Sequence, residues 1–161
     1  MSDALPGRFR DAMAELPAGV AVIVARGLDG LPVGATVSSL TSLSVDPPRV
    51  VVCLAETSDT CRALEPGHPF ALQLLRDGQE GVAHALAGKG TGKFVGVPVA
   101  ETLDGFEIDG CAVTLRCRVD ALLPGGDHVI VVGVVRDADV HGGEPLFYHR
   151  RAIAPVPALG G

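Results

Sequence analysis

Tryptophan is absent from this chain, tyrosine occurs once and phenylalanine five times, so its apolar material is Val, Leu and Ala. There is no C-x-x-C pair, and no His stands at finger-like spacing from Cys53, Cys61, Cys111 or Cys117. That excludes a zinc site of the usual spacing, and we expect no bound metal. No apolar run approaches the roughly 20 residues that cross a bilayer. The opening Met-Ser-Asp-Ala-Leu-Pro-Gly-Arg lacks the apolar stretch of a signal peptide. Basic residues are scattered and the formal net charge is −6, which argues against a nucleic-acid partner and against an anionic membrane face. His68, His84, His141 and His149 show no metal or triad spacing, and no G-x-S-x-G elbow occurs. These absences leave a cytoplasmic chain whose cysteines are small, reduced, buried side chains.

The 161 residues suit one domain over 1–161, with only the tail after Ile153 expected to be loose. Nearly half the residues are apolar, enough for a sizeable core, and a Val-rich, Gly-rich composition in short runs favours strands. Phe9, Met13 and Leu16 fall at i, i+4 and i+7, which predicts a short helix from Arg8 to Leu16, stopped by Pro17. Gly19 to Ala25 and Val33 to Leu40 read as strands joined at Asp29-Gly30. Pro47-Pro48 is a hard break. Arg49 to Ala55 reads as a strand buried along its whole apolar run. A short helix ending at Leu64, a strand from Pro69 to Leu75 and a helix from Gln79 to Leu86 follow. From Cys111 to Ala121 the odd positions are apolar and the even ones include Thr114, Arg116, Arg118 and Asp120, so one face is buried and one wet. His128 to Val135 and Leu146 to Tyr148 complete the strands. The sum is a small antiparallel barrel with short helices packed outside.

Four segments have the residue types for chemistry. Thr36, Val37, Ser38 and Ser39 put hydroxyls and backbone groups along one strand. That edge either bonds a flat heterocycle or is an ordinary polar face. The junction from Ala55 to Thr60 ends in a helix start where Ser58 and Thr60 flank free amides, either an anion site or a plain cap. Gly88-Lys89-Gly90-Thr91-Gly92-Lys93-Phe94 fails the G-x-x-x-x-G-K-[ST] spacing, so nucleoside triphosphate hydrolysis is excluded. It remains a loop with two lysines, solvated or close to an anionic ligand. Asp127-His128 opens an apolar strand after a tight turn, where His128 bonds a ligand or caps the turn.

Taken in order, Phe9-Arg10-Asp11-Ala12-Met13, Pro17-Ala18-Gly19-Val20, Gly34-x-Thr36-Val37-Ser38-Ser39-Leu40, Ser42-Leu43-Ser44-Val45-Asp46-Pro47-Pro48 and Gly126-Asp127-His128 resemble one family. Val51 to Leu54, Gln79, Lys93-Phe94, Gly110-Cys111-Ala112, Cys117 and Pro145-Leu146-Phe147-Tyr148 complete the resemblance. The family is the flavin reductase-like, FMN-binding split-barrel group, which includes reductase components of two-component flavin-dependent monooxygenases. The resemblance implies a mainly β fold with α, a Greek-key-like antiparallel split β-barrel. It implies a homodimer that binds FMN, or FAD, and reduces it with NADH or NADPH for a partner monooxygenase.

Carried over residue by residue, the resemblance places Thr36, Val37, Ser38 and Ser39 against the isoalloxazine. It brings Leu54, Ala55, Glu56, Ala85 and Leu86 to the ring or ribityl chain, gives Ser58 and Thr60 to the phosphate, and puts Lys93 and Phe94 in a loop closing over the flavin. His128 takes the catalytic role of seating the nicotinamide, with Phe147, Tyr148, Arg150 and Arg151 nearby. Where the family often has an aromatic, this chain has Ile153.

Overall fold

The computed structural model describes residues 4–157. Helix α1 (Ala4–Ala14) begins four residues before the predicted start, because Pro6 in a first turn loses only an amide that has no helical partner. The helix ends two residues short of the predicted Leu16; Phe9 and Met13 in it and Leu16 just beyond it are exposed, and of its residues only Ala14 is buried. A short β1 (Ala18–Gly19) leads into β2 (Ala21–Arg26) and β3 (Pro32–Val37), a hairpin whose Gly30 sits at φ 84°. The Asp29 carboxylate accepts from the Leu31 amide at 3.0 Å across the tip of that hairpin.

Strand β3 ends at Val37 instead of Leu40. The chain leaves the β2 ladder and reappears as β4 (Thr41–Val45), then β5 (Pro48–Ala55). β4 is exposed along nearly its whole length, and its alternation, Ser42-Leu43-Ser44-Val45, spans only four residues before Pro47-Pro48, so its sequence reads as a connection. After α2 (Asp59–Ala63), β6 (Pro69–Leu74), α3 (Glu80–Ala87) and a 3₁₀ turn at Thr91–Phe94, β7 (Val99–Thr102) and β8 (Gly105–Ile108) form a hairpin. The long strands β9 (Val113–Gly125) and β10 (His128–Val140), with β11 (Leu146–His149) and β12 (Ala152–Pro155), finish the chain. Of the tail expected to be loose, Ala154 and Pro155 belong to β12, and 158–161 lie outside the described residues.

The main sheet has seven antiparallel strands in the order β3-β2-β6-β9-β10-β5-β4, and β11 lies between β1 and β12 in a second sheet. The fold is therefore mainly β with short helices, and its barrel-like sheet has β3 and β4 as unjoined edges. Ile23, Leu72, Val52, Val119 and Val131 fill its inside. On the other face of β2, Val22 and Val24 meet Val82, Ala83 and Leu86 of α3, Ile108 of β8 and Leu146. Both faces of β2 are thus covered, which accounts for its unbroken apolar run.

That outer layer explains two departures from expectation. It does not reach β5, where Val50, Val52 and Leu54 are buried while Val51, Cys53 and Ala55 are only half-buried. The apolar run of β5 therefore does not mark a strand buried on both faces. Over β9 the reverse occurs. The face predicted to be wet is partly covered, because Thr114 is buried and Arg116 forks onto Glu107 of β8 at 2.7 and 3.1 Å.

Candidate functional site

Where β3 leaves the β2 ladder, the sheet edges part and a cleft of about 660 Å³ opens. Five stretches line it: 35–39 at the end of β3, 53–55 at the end of β5, 57–59 at the start of α2, 86–90 after α3, and the pair Lys93 and His128. Each wall is fixed by local bonds. The Thr36 hydroxyl donates to the Ala83 carbonyl at 2.7 Å, pinning α3 to β3 so that its end, Leu86 to Gly88, stands over the cleft. Ser39 Oγ accepts from the Cys53 amide at 2.9 Å and donates to the Cys53 carbonyl at 3.2 Å. It replaces one rung of a ladder and bridges the parted edges at this point. The Glu56 amide donates to the Asp127 carbonyl at 3.2 Å, tying the turn before α2 to the turn before β10.

Residues 38–40 belong to neither neighbouring ladder, so their amides have no strand to bond. Ser38 is exposed on the cleft, and its hydroxyl has no partner among the described residues. Ser58 caps α2, its Oγ accepting from the Cys61 amide at 3.1 Å, which leaves its own proton to donate. Lys93 is half-buried at the rim. Burial pushes its ammonium below the ordinary lysine value, and Asp59 pulls it back up. Opposite, His128 Nδ1 lies 2.7 Å from Asp127 Oδ1. The hydrogen bond and charge of His128, with a smaller contribution from Arg10, hold the Asp127 carboxyl below its usual range. That bond orients the imidazole and leaves Nε2 for a ligand.

Of the sequence-predicted residues, the cleft gathers Thr36, Val37, Ser38, Ser39, Leu54, Ala55, Ser58, Leu86, Lys93 and His128. Others are placed elsewhere. Thr60, in the first turn of α2, is fully buried and its Oγ1 has no partner among the described residues, so it does not reach the cleft as a phosphate ligand would. Glu56 is exposed and Ala85 half-buried, and neither lines the cleft. Phe94 does not close over the cleft; it packs on the Gly34 backbone and lines a neighbouring groove. Phe147 and Tyr148 stand on the β1-β11-β12 sheet, outside the cleft walls. Arg150 and Arg151, both at positive φ in the β11–β12 turn, pair with Glu15 and Asp11 around α1.

Sequence reasoning did not assign Thr57, Asp59 or Cys53 to the site. The first two were within reach, because they share the polar turn that Ser58 caps. Cys53 was hidden by its apolar run. The spent hydroxyl of Ser39 also separates two neighbouring serines. Ser38→Ala weakens binding of a ligand that uses this edge by about fivefold, the worth of one hydrogen bond. Ser39→Ala instead costs about 1 kcal/mol of stability by unpairing Cys53. Titrating both variants checks this, and equal losses of affinity without loss of stability would contradict it.

Residues 13–157 match the family model described as a flavin reductase like domain. The chain is 36% identical over 157 residues to the actinorhodin polyketide dimerase of Streptomyces coelicolor, covering 96% of this chain and 89% of that protein. It is 38% identical over 144 residues to the reductase component of 4-hydroxyphenylacetate 3-monooxygenase from Thermus thermophilus, covering 89% and 91%. In structure it is similar to the NADH:FAD oxidoreductase of Streptomyces globisporus, solved with NAD and FAD fragments. The TM-score is 0.87 at 27% identity, over 96% of this chain and 95% of that one.

Proposed function

The chain belongs to the flavin reductase like domain family, and from that premise we propose that it is an NAD(P)H-dependent flavin reductase. It takes hydride from a nicotinamide onto FMN or FAD and passes the reduced flavin to a partner monooxygenase; the Thermus relative is named as the reductase component of such a monooxygenase. The observation that carries this reading is the cleft itself. It offers hydroxyls and unladdered amides at one wall, two lysines at another and a bonded His at its mouth.

The donor set fits a flavin phosphate of this kind. Bound flavin supplies the ring that accepts hydride. Ser38 and the amides of 38–40 donate to its pyrimidine edge and so stabilise charge arriving there. Leu54, Ala55 and Leu86 give the apolar walls, and Ser58, Lys89 and Lys93 hold the phosphate end. No general acid or base is required, and the cleft contains no carboxylate pair. His128, steered by Asp127, orients the nicotinamide. Replacing it by Ala raises the KM for NADH about fivefold, the loss of one hydrogen bond. Unchanged NADH kinetics in that variant would remove His128 from the site. Phe147, Tyr148, Arg150 and Arg151 have no part in this single-chain reading.

A homodimer is part of the proposal. Edge strand β4 leaves Leu43 and Val45 exposed, and α1 leaves Leu5, Phe9 and Met13 exposed with Leu16 just past its end, apolar area that a second copy would cover. Sedimentation gives twice the chain mass if this holds, and a monomer at micromolar concentration if it does not. We also propose the cytoplasm, where the four cysteines, all unpaired, stay reduced. No helix among the described residues is long and apolar enough to cross a membrane.

A second reading is favoured by the Streptomyces coelicolor relative, whose name describes action on a polyketide. In it, a chain of this kind keeps its flavin and acts on an organic substrate. Reducing the flavin anaerobically across a dialysis membrane from an acceptor separates the two, because only a supplier loses its flavin to the far side.

A further inference from the structure

Phe94 and Lys93 are consecutive, yet they serve different spaces. Lys93 lines the main cleft, while Phe94 turns into a groove of about 320 Å³ on the other side of the 3₁₀ turn. The two spaces share Asp59, Gly90 and Lys93 as a common rim. Beyond that rim the groove walls are Leu28, Leu31, Pro32, Val33 and Phe94, with Arg62 and Asp29 also lining it, the Asp29 carboxylate bonded to the Leu31 amide. Leu28 and Leu31 stand 87% and 63% exposed at the β2–β3 tip, an unusual cost for two leucines unless something covers them.

The tip is not slack. Besides the Asp29 to Leu31 bond, the Gly27 amide donates to the Leu31 carbonyl at 2.7 Å and Arg26 Nη1 donates to the Gly30 carbonyl at 3.0 Å. The opposite wall is set as firmly. A Cβ on Gly34 would meet the Ile23 carbonyl at 2.7 Å and Phe94 Cζ at 3.1 Å, so the ring lies directly on bare backbone. A preformed apolar slot with one aromatic wall suits a flat heterocycle. The half-buried cation at the shared rim, with Asp59 and Lys89 also in the cleft walls, suits the phosphates that lead to it. Asp59 itself lies 3.3 Å from Arg62, which offsets its charge toward an incoming anion.

We propose that this groove is the adenosine subsite for FAD, making FAD the preferred flavin over FMN. The inference rests on the flavin reading of the main cleft. If the flavin's phosphate end lies at Ser58 and Lys93, the second phosphate of a dinucleotide crosses the Lys93 rim. Its adenine then lies between Leu31 and Phe94, with the Arg62–Asp59 pair at the ribose side.

The test is a titration of the full flavin-free chain with FMN, FAD and AMP separately, following fluorescence quenching or heat. The parent binds FAD about tenfold more tightly than FMN. Leu31→Asp, at an exposed position, removes most of that advantage, and Leu28→Asp does the same. Val140→Asp, an exposed position at the end of the sheet opposite the β2–β3 tip, where Val140 pairs with Val113, Val113 with Leu74 and Leu74 with Ala21, keeps it. Millimolar AMP competes with FAD and not with FMN. The proposal is overturned if FAD and FMN bind alike in the parent, or if the advantage survives both groove variants. It is also overturned if Leu31→Asp raises the KM for NADH and leaves the flavin ratio intact, since the adenosine there would then belong to the nicotinamide dinucleotide. A parent that binds neither flavin would instead sink the cleft reading itself.

Discussion

Lys93→Met binds flavin about 10- to 100-fold more weakly than the parent, yet its flavin-free form is at least as stable. The first effect is the loss of a charge-assisted bond to phosphate, worth roughly 1.5–3 kcal/mol. The second follows from burial. A lysine whose ammonium is pushed below its ordinary value on folding carries fewer protons folded than unfolded. Its charge therefore opposes the fold below the depressed value, and that cost fades as pH climbs towards the ordinary lysine range. Methionine keeps the stem and removes the cost. The same shift makes the parent's flavin affinity fall as pH rises through the Lys93 range, earlier than for a free lysine, and Lys93→Met loses this pH dependence. Denaturant melts and flavin titrations across pH check both. A variant that is less stable and binds flavin normally would mean that Lys93 is a packing residue facing no anion.

The other large effect lies away from the cleft. Gln73 on β6 is almost fully buried and clasps β8. Its Nε2 donates to the Ile108 carbonyl at 2.9 Å and to Thr114 Oγ1 at 3.0 Å, and its Oε1 accepts from the Ile108 amide at 2.7 Å. Gln73→Leu keeps volume but strands the amide and carbonyl of Ile108 and the Thr114 hydroxyl in the interior. Each unsatisfied buried group costs about 1–3 kcal/mol, so the variant loses about 3–5 kcal/mol. For a chain of this size that is a fall in Tm of roughly 10 °C. Ile108 packs in the same cluster as Val82, Ala83 and Leu86 of α3. Loosening it loosens the helix that walls the cleft, so flavin affinity falls with stability. A loss under about 1 kcal/mol would show that water or a shifted backbone satisfies those groups.

How much of this was legible in the residues differs by element. The β2–β3 hairpin was readable because Asp29-Gly30 and two apolar runs are local signals. Strand β4 was not, since its alternation, Ser42-Leu43-Ser44-Val45, is only four residues long and runs into Pro47-Pro48. The continuous run in β5 misled in a specific way. Run length reports apolar content, and only the reach of α3 and the β7–β8 hairpin decides which outer face is covered. In the site, Thr36, Ser38, Ser58, Lys93 and His128 were recognisable from residue type and order. Their division of labour was not. Ser39 spends its hydroxyl on Cys53, Thr36 donates its proton to Ala83, and Thr60 is buried in the first turn of α2, all consequences of contacts between residues distant in sequence. Phe94 was placed in the right loop and on the wrong side of it, because a one-residue step on a 3₁₀ turn rotates a side chain by about 120°.

The account stands on the cleft between β3 and β5 accepting a flavin that NADH can reduce. Rapid anaerobic mixing of the flavin-loaded chain with NADH tests this directly. The account predicts that the visible absorbance of oxidised flavin is lost in a protein-dependent phase, with an NADH dependence that His128→Ala weakens. Flavin that stays oxidised, or is reduced no faster than in buffer alone, would contradict it.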